Sequence, residues 1–209
     1  MTDYMIWDWN GTLFDDLDVC LYCINRLLYN HGYKPLYTYD EYKNVFCFPI
    51  KKYYENAGFD FSKTPYETLA DEYMRMYLPL ADNCRLNGDA LYVIDELEKR
   101  GVKQVILTAS KRENLMRQIE HFGIADKFFM LLATDNHYCH SKLQLAESFI
   151  QNAKDARSIY FIGDSLHDAE VAKAMNAKIF LHTCGHQALT PSNEYVLLNS
   201  IKDVLEYIE

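Results

Sequence analysis

The N-terminal segment contains an apolar run that ends in a carboxylate and a glycine turn. Residues 4–12 read Tyr-Met-Ile-Trp-Asp-Trp-Asn-Gly-Thr. A nearly continuous apolar run indicates a strand buried on both faces, as in a parallel sheet covered by helices. Burying Asp8 at the end of such a strand costs free energy unless the carboxylate has a partner or a task. We therefore expect residues 4–9 to form a buried strand and Asp8 to be functional.

Similar apolar runs return along the chain, at residues 102–108, 128–133, 158–163 and 178–182. Segments with the apolar spacing of amphipathic helices lie between them. This alternation of strands and helices predicts an α/β fold, with a Rossmann-like parallel sheet and helices on both of its faces.

The segment from about Asp15 to Asp82 interrupts this alternation. It contains helical patterns and many tyrosines, but no convincing buried strand. A crossover helix needs only about a dozen residues, so the excess length suggests a lid over a site. We predict two units: a Rossmann-like core of residues 1–14 and 83–209, and an inserted α-helical cap of residues 15–82.

Composition and charge limit the classes of function. The 209 residues are 49 % hydrophobic and 24 % charged, which is ordinary for a globular protein. The 30 acidic and 21 basic side chains leave a net charge of −9, which argues against non-specific nucleic-acid binding. No apolar run is long enough to cross a bilayer, and no signal peptide is visible. We expect a cytoplasmic protein with no nucleic-acid or membrane partner, either a monomer or a homodimer.

Three short motifs contain candidate ligands for a metal. Cys20 and Cys23 lie in a stretch with helical spacing and have no second pair, which argues against a zinc or redox site. Residues 137–140 (His-Tyr-Cys-His) and 182–186 (His-Thr-Cys-Gly-His) resemble ligand sets more closely. No fourth ligand is evident, so packing and loop roles are favoured for these residues. All six cysteines are expected to be reduced thiols.

Polar side chains follow the predicted strands where they end. They are Asp8, Thr108, Asp164 and Asp168, with Lys142 at the start of a helix. The carboxyl ends of parallel strands meet at one edge of a sheet, where ligands bind. Clustered carboxylates need a compensating cation, and a site of oxygen ligands suits Mg²⁺, which also binds substrate phosphate. A threonine hydroxyl and a lysine can bind phosphoryl oxygens, and a carboxylate in line with phosphorus can act as a nucleophile.

These residues form four motifs that resemble the signature of the haloacid dehalogenase-like (HAD) hydrolase superfamily. The motifs are Asp8-Trp-Asn-Gly-Thr-Leu-Phe-Asp15, Thr108, Lys142 and Gly163-Asp164-x-x-x-Asp168. The helical insertion after the first motif is similar to that of the phosphoglycolate phosphatase-like subfamily. The resemblance implies that Asp8 is the nucleophile and that Thr108 and Lys142 hold the transferring phosphoryl group. It also implies a Mg²⁺ ion held by Asp8, the main-chain carbonyl of Asn10 and Asp164, with Asp168 in support.

Three further residues are candidates for substrate binding. Gly11 permits a tight turn whose main-chain N–H groups can face a phosphate. Ala109 directly follows Thr108 and is assigned to the same phosphate site. Lys51 or Lys52, in the helical segment, would suit an anionic substrate tail, although a solvated helix start is slightly favoured as the explanation. Residues 110–111 are interpreted as the start of a helix.

Asn10 departs from the pattern of the family. Its phosphatases usually have an aspartate at this position, which protonates the leaving group and then activates water. A carboxamide cannot donate that proton, and general acid–base catalysis typically supplies about 10²–10⁴-fold in rate. Three interpretations remain open. The substrate has an acidic leaving group, another group such as His167 or a residue of the cap moves the proton, or the protein binds phosphate with little turnover.

The sequence thus predicts a Mg²⁺-dependent phosphohydrolase that acts on a small phosphorylated metabolite through an aspartyl-phosphate on Asp8. The first alternative is a catalytically weak or inactive phosphate-binding protein of the same family. A phosphomutase also relies on an acid–base residue at position 10, so Asn10 argues against it. A dehalogenase would not need the acidic pair Asp164 and Asp168.

Overall fold

A computed structural model describes residues 1–134 and 142–208. Its strands are β1 (Thr2–Trp7), β2 (Phe14–Asp15), β3 (Arg85–Leu86), β4 (Lys103–Lys111), β5 (Met130–Thr134), β6 (Ala156–Gly163), β7 (Lys178–His182) and β8 (Val196–Leu198). Within these residues, six strands form a parallel sheet in the order β5-β4-β1-β6-β7-β8. The predicted α/β, Rossmann-like sheet is therefore confirmed, and β1, which leads to Asp8, lies between β4 and β6.

The α-helices of the described residues are α1 (Leu17–Asn30), α2 (Tyr39–Val45), α3 (Ile50–Ala57), α4 (Tyr66–Ala81), α5 (Ala90–Lys99), α6 (Arg112–Phe122), α7 (Lys142–Asn152) and α8 (Leu166–Ala174). Short 3₁₀ helices span Ala125–Lys127 and Ile201–Glu206. None of the helices in this part of the chain is long and apolar enough to cross a membrane.

Both faces of the sheet are buried, as the continuous apolar runs predict. Met5 and Trp7 of β1 belong to the core that the sheet shares with α5 and α6. Tyr4 and Ile6 belong to the core on the other face, with α7 and α8. Successive side chains of a strand point to opposite faces. Packing from both sides therefore fixes β1 and the position of the residue that follows it.

The strand positions differ from the prediction in detail. The predicted run 178–182 coincides with β7, whereas β1 ends at Trp7, two residues before the predicted end. The difference arises because the chain turns after β1, with Gly11 at a φ of 73°. β8 was not predicted, since three residues make too short an apolar run to be recognised.

Helices α1 to α4 lie between β1 and β4 in chain order. α1 packs against α4, and Ile24 and Leu69 are among the side chains that these helices bury. β2 and β3, which were not predicted, pair in antiparallel fashion where the chain enters and leaves this segment. The division of the chain into a core and a cap of residues 15–82 stays a prediction.

Helix α2 contacts the loop that follows β7. Lys43 Nζ donates to the carbonyl oxygen of Thr183 at 2.9 Å, and the N–H of Ala188 donates to the carbonyl oxygen of Lys43 at 3.0 Å. These bonds attach the inserted helices to the edge of the sheet at which the parallel strands end.

Candidate active site

Asp8 lies at the edge of the sheet where the parallel strands end. Its main-chain N–H donates to the carbonyl oxygen of Ile162 in β6 at 3.0 Å, which extends the ladder by one residue. Asp164 and Asp168 follow β6, and a carboxylate oxygen from each of the three aspartates lies within 4.8 Å of the others. All three side chains are buried. The structure thus brings together the acidic residues that the sequence assigned to a metal site.

Lys142 lies between two of these aspartates. It is 2 % exposed, and its Nζ donates to Asp8 Oδ1 at 2.5 Å and to Asp168 Oδ1 at 2.6 Å. Burial alone would lower the pKa of Lys142, but the carboxylates of Asp168 and Asp8 outweigh burial and raise it. Burial alone would raise the pKa of Asp168, but Lys142 and Ser165 outweigh burial and lower it. Lys142 is therefore a cation and Asp168 an anion near neutral pH.

Asp168 is held in place by the turn that begins α8. Its second oxygen, Oδ2, accepts a hydrogen bond from the Ser165 hydroxyl at 2.6 Å. The main-chain N–H groups of Asp164 and Ser165 donate to the same oxygen, at 3.2 and 3.1 Å. Ser165 and Asp168 form a capping box, in which the two residues satisfy each other's main-chain N–H groups. One oxygen of Asp168 thus serves the helix start and the other binds Lys142.

Asp164 is enclosed by main chain. A Cβ atom added to Gly11 would lie 2.3 Å from Asp164 Oδ2, and one added to Gly185 would lie 2.2 Å from Asp164 Cβ. The positive φ of Gly11, 73°, is itself a conformation that favours glycine. The main-chain N–H of His186 donates to Asp164 Oδ2 at 2.5 Å. Glycine at positions 11 and 185 is therefore required by the position of this carboxylate.

With all three carboxylates ionised, the aspartate cluster carries more negative charge than Lys142 balances. Burial raises the pKa of Asp8 well above its usual range, despite the opposing charge of Lys142. Burial, with a further contribution from Asp168, raises the pKa of Asp164 to about 6. Three carboxylates and one ammonium leave a formal net charge of −2. Oxygen donors with this charge fit a hard divalent cation such as Mg²⁺ better than a metal that prefers nitrogen or sulfur ligands.

Thr108 is buried near the end of β4, beside β1. Its Oγ1 accepts the main-chain N–H of Ser110 at 3.1 Å. The carbonyl oxygen of Ala109 accepts a hydrogen bond from the Thr134 hydroxyl at 3.1 Å. The interpretation of residues 110–111 as a helix start is wrong for Ser110, which lies in β4, whereas Lys111 ends β4 and is the N-cap of α6.

The side chain of Asn10 is bonded to other protein groups. Its Nδ2 donates to Asp16 Oδ2 at 2.8 Å and to the Tyr77 hydroxyl at 2.9 Å. Its Oδ1 accepts a hydrogen bond from the Ser110 hydroxyl at 2.5 Å. These contacts were not predicted, because Tyr77 and Ser110 lie 67 and 100 residues away along the chain.

Asp16, which directly precedes α1, is the centre of a second buried polar cluster. It accepts hydrogen bonds from the Gly11 N–H at 3.0 Å and from the Tyr77 hydroxyl at 2.6 Å, and it lies 3.0 Å from His186 Nε2. Burial alone would raise the pKa of Asp16, but His186 outweighs burial and lowers it. Burial alone would lower the pKa of His186, but Asp16 outweighs burial and raises it to about 9. The two residues are therefore an ion pair near neutral pH.

This cluster joins helices α2 and α4 to the turn after β1 and to the loop after β7. His186 Nδ1 lies 2.9 Å from the hydroxyl of Tyr42 in α2, and Tyr77 is in α4. Cys20 Sγ lies 3.5 Å from Asp16 Oδ2. Sequence reasoning missed the cluster because its members come from distant segments, and it considered His186 only as part of a candidate metal motif.

Lys51 contacts aromatic rings and not the aspartate cluster. Its Nζ lies 5.4 Å from the ring centre of Phe61 and 5.9 Å from that of Tyr66. These contacts hold the ammonium group against the inserted helices. A role for Lys51 in substrate binding stays a prediction.

The segment 182–186 does not gather its candidate ligands at one point. Cys184 is exposed, and its thiol lies 3.5 Å from a main-chain carbonyl oxygen. His186 belongs to the cluster described above, and neither ring nitrogen of His182 meets a hydrogen-bond partner among the described residues. Packing and loop roles, which the sequence favoured, agree with this arrangement. The second candidate motif, residues 137–140, lies outside the described residues.

Comparison with known proteins identifies relatives of this chain. A family model described as haloacid dehalogenase-like hydrolase matches residues 5–182. The curated proteins give no significant match.

Several solved structures share the fold. A predicted phosphatase from Clostridium acetobutylicum is 17 % identical, with a TM-score of 0.79 over 100 % of this chain and 98 % of that one. A predicted phosphoglycolate phosphatase from Haemophilus somnus is 15 % identical, with a TM-score of 0.73 over 100 % and 98 %. Protein Tyrosine Kinase A from Mycobacterium tuberculosis is 17 % identical, with a TM-score of 0.83 over 99 % and 98 %. At such identities the likeness shows the fold alone.

Proposed function

The chain belongs to the haloacid dehalogenase-like hydrolase family, and from this premise we propose that it is a Mg²⁺-dependent phosphatase of a small phosphorylated metabolite. The phosphoryl group passes, in this proposal, through an aspartyl-phosphate on Asp8. The observation that carries the proposal is the position of Lys142, which binds Asp8 and Asp168 while Asp164 lies within 4.8 Å of both carboxylates.

The acidic cluster supports a place for Mg²⁺. Asp8, Asp164 and the main-chain carbonyl of Asn10 would hold the ion, and Asp168 would support the site. Bound Mg²⁺ would stabilise negative charge on the phosphoryl oxygens as a Lewis acid. The support is the oxygen-only donor set and its formal charge of −2, which a divalent cation would neutralise.

Asp8 is the proposed nucleophile. A carboxylate oxygen attacks phosphorus, and the bond from phosphorus to the leaving group breaks with its electron pair on the leaving oxygen. Water then cleaves the aspartyl-phosphate, which releases inorganic phosphate and restores the carboxylate. Lys142 would neutralise charge on the phosphoryl oxygens. Thr108 accepts the Ser110 N–H, so its own hydroxyl proton can be donated to a phosphoryl oxygen.

Residues 15–82 are the proposed cap, which would exclude water and select a phosphoglycolate-like or similar metabolite. The hydrogen bonds between α2 and the loop after β7 support this role, since they connect α2 to the loop that follows one of the parallel strands. Gly11 and Ala109 are the proposed main-chain contacts of the phosphate, and Lys51 the proposed contact of an anionic tail. A cytoplasmic location and a monomeric or homodimeric state stay predictions.

Phosphate release from p-nitrophenyl phosphate and acetyl phosphate tests the proposed function. The protein is expected to hydrolyse both with Mg²⁺ and to lose activity in EDTA. Asp8→Asn is expected to lower turnover at least ~10³-fold, because it removes the nucleophile. Asp126→Asn, which removes an exposed carboxylate in the 3₁₀ helix Ala125–Lys127, serves as the matched control and is expected to leave turnover unchanged. Equal turnover by Asp8→Asn and the unaltered protein would contradict the proposal.

A phosphate-binding protein without turnover is the second candidate. The observation that favours it is the hydrogen bonding of Asn10, whose two N–H groups are donated to Asp16 and Tyr77. This candidate predicts that Mg²⁺ binds while neither substrate releases phosphate. Mg²⁺ binding measured by calorimetry, beside the turnover assay, separates the two.

A further inference from the structure

We propose that Asp16 and Asn10 form a matched pair that withdraws position 10 from proton transfer and restricts the enzyme to substrates whose leaving group departs without a proton. Acyl phosphates and phosphates of acidic phenols are such substrates, because the carboxylate or phenolate keeps the electron pair of the broken bond. Sugar phosphates and other alkyl phosphates would release an alkoxide, which needs a proton. The inference rests on the proposed function and names the substrate class of the same site.

The hydrogen bonds of Asn10 leave no N–H group for a leaving group. Both N–H groups are donated, to Asp16 Oδ2 at 2.8 Å and to the Tyr77 hydroxyl at 2.9 Å. The oxygen accepts the Ser110 hydroxyl at 2.5 Å. The Tyr77 hydroxyl in turn donates its proton to Asp16 Oδ2 at 2.6 Å. Asn10, Tyr77 and Asp16 thus close a triangle in which every N–H and O–H has an acceptor.

Asp16 fixes the orientation of this carboxamide. Its carboxylate is buried and receives the N–H of Gly11 at 3.0 Å in addition to Tyr77 and Asn10. His186 Nε2 lies 3.0 Å from its other oxygen and balances its charge. A carboxylate that only accepts hydrogen bonds requires the NH₂ group of Asn10, and not its oxygen, to face it. Asp16 is therefore a positioning residue that acts through Asn10.

The same geometry disfavours two ionised carboxylates at positions 10 and 16. An oxygen in the place of Asn10 Nδ2 would lie 2.8 Å from Asp16 Oδ2, and a proton bound by this pair would be shared between the two oxygens instead of facing the leaving group. Two buried carboxylates at this distance repel each other strongly. Exchanging the two residues, by Asn10→Asp with Asp16→Asn, would restore one carboxylate and one carboxamide and place the carboxylate at position 10.

Three neighbouring side chains that could donate a proton, His186, Lys142 and His167, are also bonded in the described part of the chain. His186 has partners on both ring nitrogens, Asp16 and Tyr42. Lys142 donates to two carboxylates. His167, the substitute donor that the sequence suggested, has its Nδ1 3.1 Å from a carboxylate oxygen of α8. It remains the competing donor, and the experiment includes it.

The test measures kcat/KM with Mg²⁺ for acetyl phosphate, p-nitrophenyl phosphate, phenyl phosphate and glycerol phosphate, whose leaving groups differ widely in pKa. The variants are Asn10→Asp, Asp16→Asn, the double exchange and His167→Gln. For the unaltered enzyme we expect kcat/KM to fall steeply as the leaving group becomes more basic. The double exchange is expected to raise kcat/KM for glycerol phosphate about 10²-fold and to flatten the dependence.

Thermal unfolding of the same variants provides a readout that does not need activity. Asn10→Asp alone is expected to lower the melting temperature by about 5 °C, because it creates the carboxylate pair, and to bring no gain on glycerol phosphate. Adding Asp16→Asn is expected to recover part of that loss, because it removes the carboxylate pair but also the ion pair of Asp16 with His186.

Three results would overturn the inference. The first is an active enzyme whose kcat/KM changes little with the pKa of the leaving group, because such an enzyme contains a proton donor. A steeper change in His167→Gln would identify His167 as that donor. The proposed function would stand in this case. A gain from Asn10→Asp alone, with an unchanged melting temperature, would refute the pairing. No turnover of any substrate would contradict the proposed function, and the inference with it.

Discussion

Lys142 is the residue that bonds to two of the three aspartates of the candidate site. Its Nζ is bonded to two buried carboxylates. Because Lys142 is only 2 % exposed, water could not easily solvate these carboxylates if the ammonium group were lost. Removing one partner of a buried ion pair leaves the other charge uncompensated, which is more harmful than the pair is stabilising. Loss of Lys142 would therefore leave Asp8 and Asp168 without this positive partner.

Lys142→Met is expected to lower turnover about 10²–10³-fold, because it removes positive charge that faces the phosphoryl group. Phosphate release under saturating substrate measures the effect. Lys154→Met, which changes an exposed lysine, is the matched control and should retain full turnover. A Lys142→Met enzyme as fast as the control would show that the lysine has no role in the reaction.

His182 predicts a dependence of stability on pH. Burial lowers its pKa from 6.5 to about 4. Between these values the unfolded chain binds a proton that the folded chain does not, so the free energy of unfolding falls as the pH falls from 6.5 to 4. The loss attributable to His182 is about 3 kcal/mol over this window.

Urea unfolding at pH 7 and at pH 4.5 measures this dependence in the unaltered protein and in His182→Leu. The leucine variant is expected to lose less stability on acidification, since its side chain cannot bind a proton. Equal losses in the two proteins would show that His182 does not titrate in this way.

Among the helices, α8 and α2 begin with the same type of N-terminal cap, in different parts of the fold. Both have a capping box, formed by Ser165 and Asp168 in α8 and by Thr38 and Glu41 in α2. Only the box of α8 includes a residue of the acidic cluster. Comparing these two capping boxes therefore separates the contribution of a helix cap to stability from its effect on the acidic cluster.

Ser165→Ala and Thr38→Ala are each expected to cost about 1 kcal/mol of stability, because each removes an N-cap side chain. Ser165→Ala is also expected to weaken Mg²⁺ binding about 10-fold or more, since Asp168 loses the hydroxyl that orients it. Calorimetric titration with Mg²⁺ measures this, with Thr38→Ala as the control that keeps its affinity. Equal affinities in the two variants would contradict a link between the helix start and the metal site.

The strands could be predicted where their burial produces a recognisable apolar run in the sequence. A strand such as β7, buried on both faces, leaves a continuous apolar run, and the carboxylates after β1 and β6 stand out against such runs. The pairing of Asn10 with Asp16 was not predictable in the same way. It depends on hydrogen-bond partners in α4, in β4 and in the loop after β7, and no local pattern reports which distant side chains meet.

For the whole molecule, the buried charge of the acidic cluster links metal binding to folding. A ligand that binds only the folded chain stabilises it by about 2.7 kcal/mol at a concentration 100-fold above its Kd. For a chain of this length that corresponds to a rise in melting temperature of roughly 5–10 °C.

Melting curves with Mg²⁺ and with EDTA check this expectation. Asp164→Asn is expected to lose most of the Mg²⁺-dependent rise, because it removes a proposed ligand. If the melting temperature of the unaltered protein did not change on addition of Mg²⁺ up to millimolar concentrations, the assignment of this cluster as a metal site would be contradicted.

The antiparallel pair of β2 and β3 has a consequence for how such a protein can diversify. Phe14 lies opposite Leu86, and Asp15 lies opposite Arg85, so the chain leaves and rejoins the core at adjacent points. A short turn between Asp15 and Arg85 would close the core without disturbing the register of the large sheet. We therefore expect that the intervening helices could be replaced together at this point, provided that the replacement keeps the contacts of Asp16 and Tyr77 with Asn10.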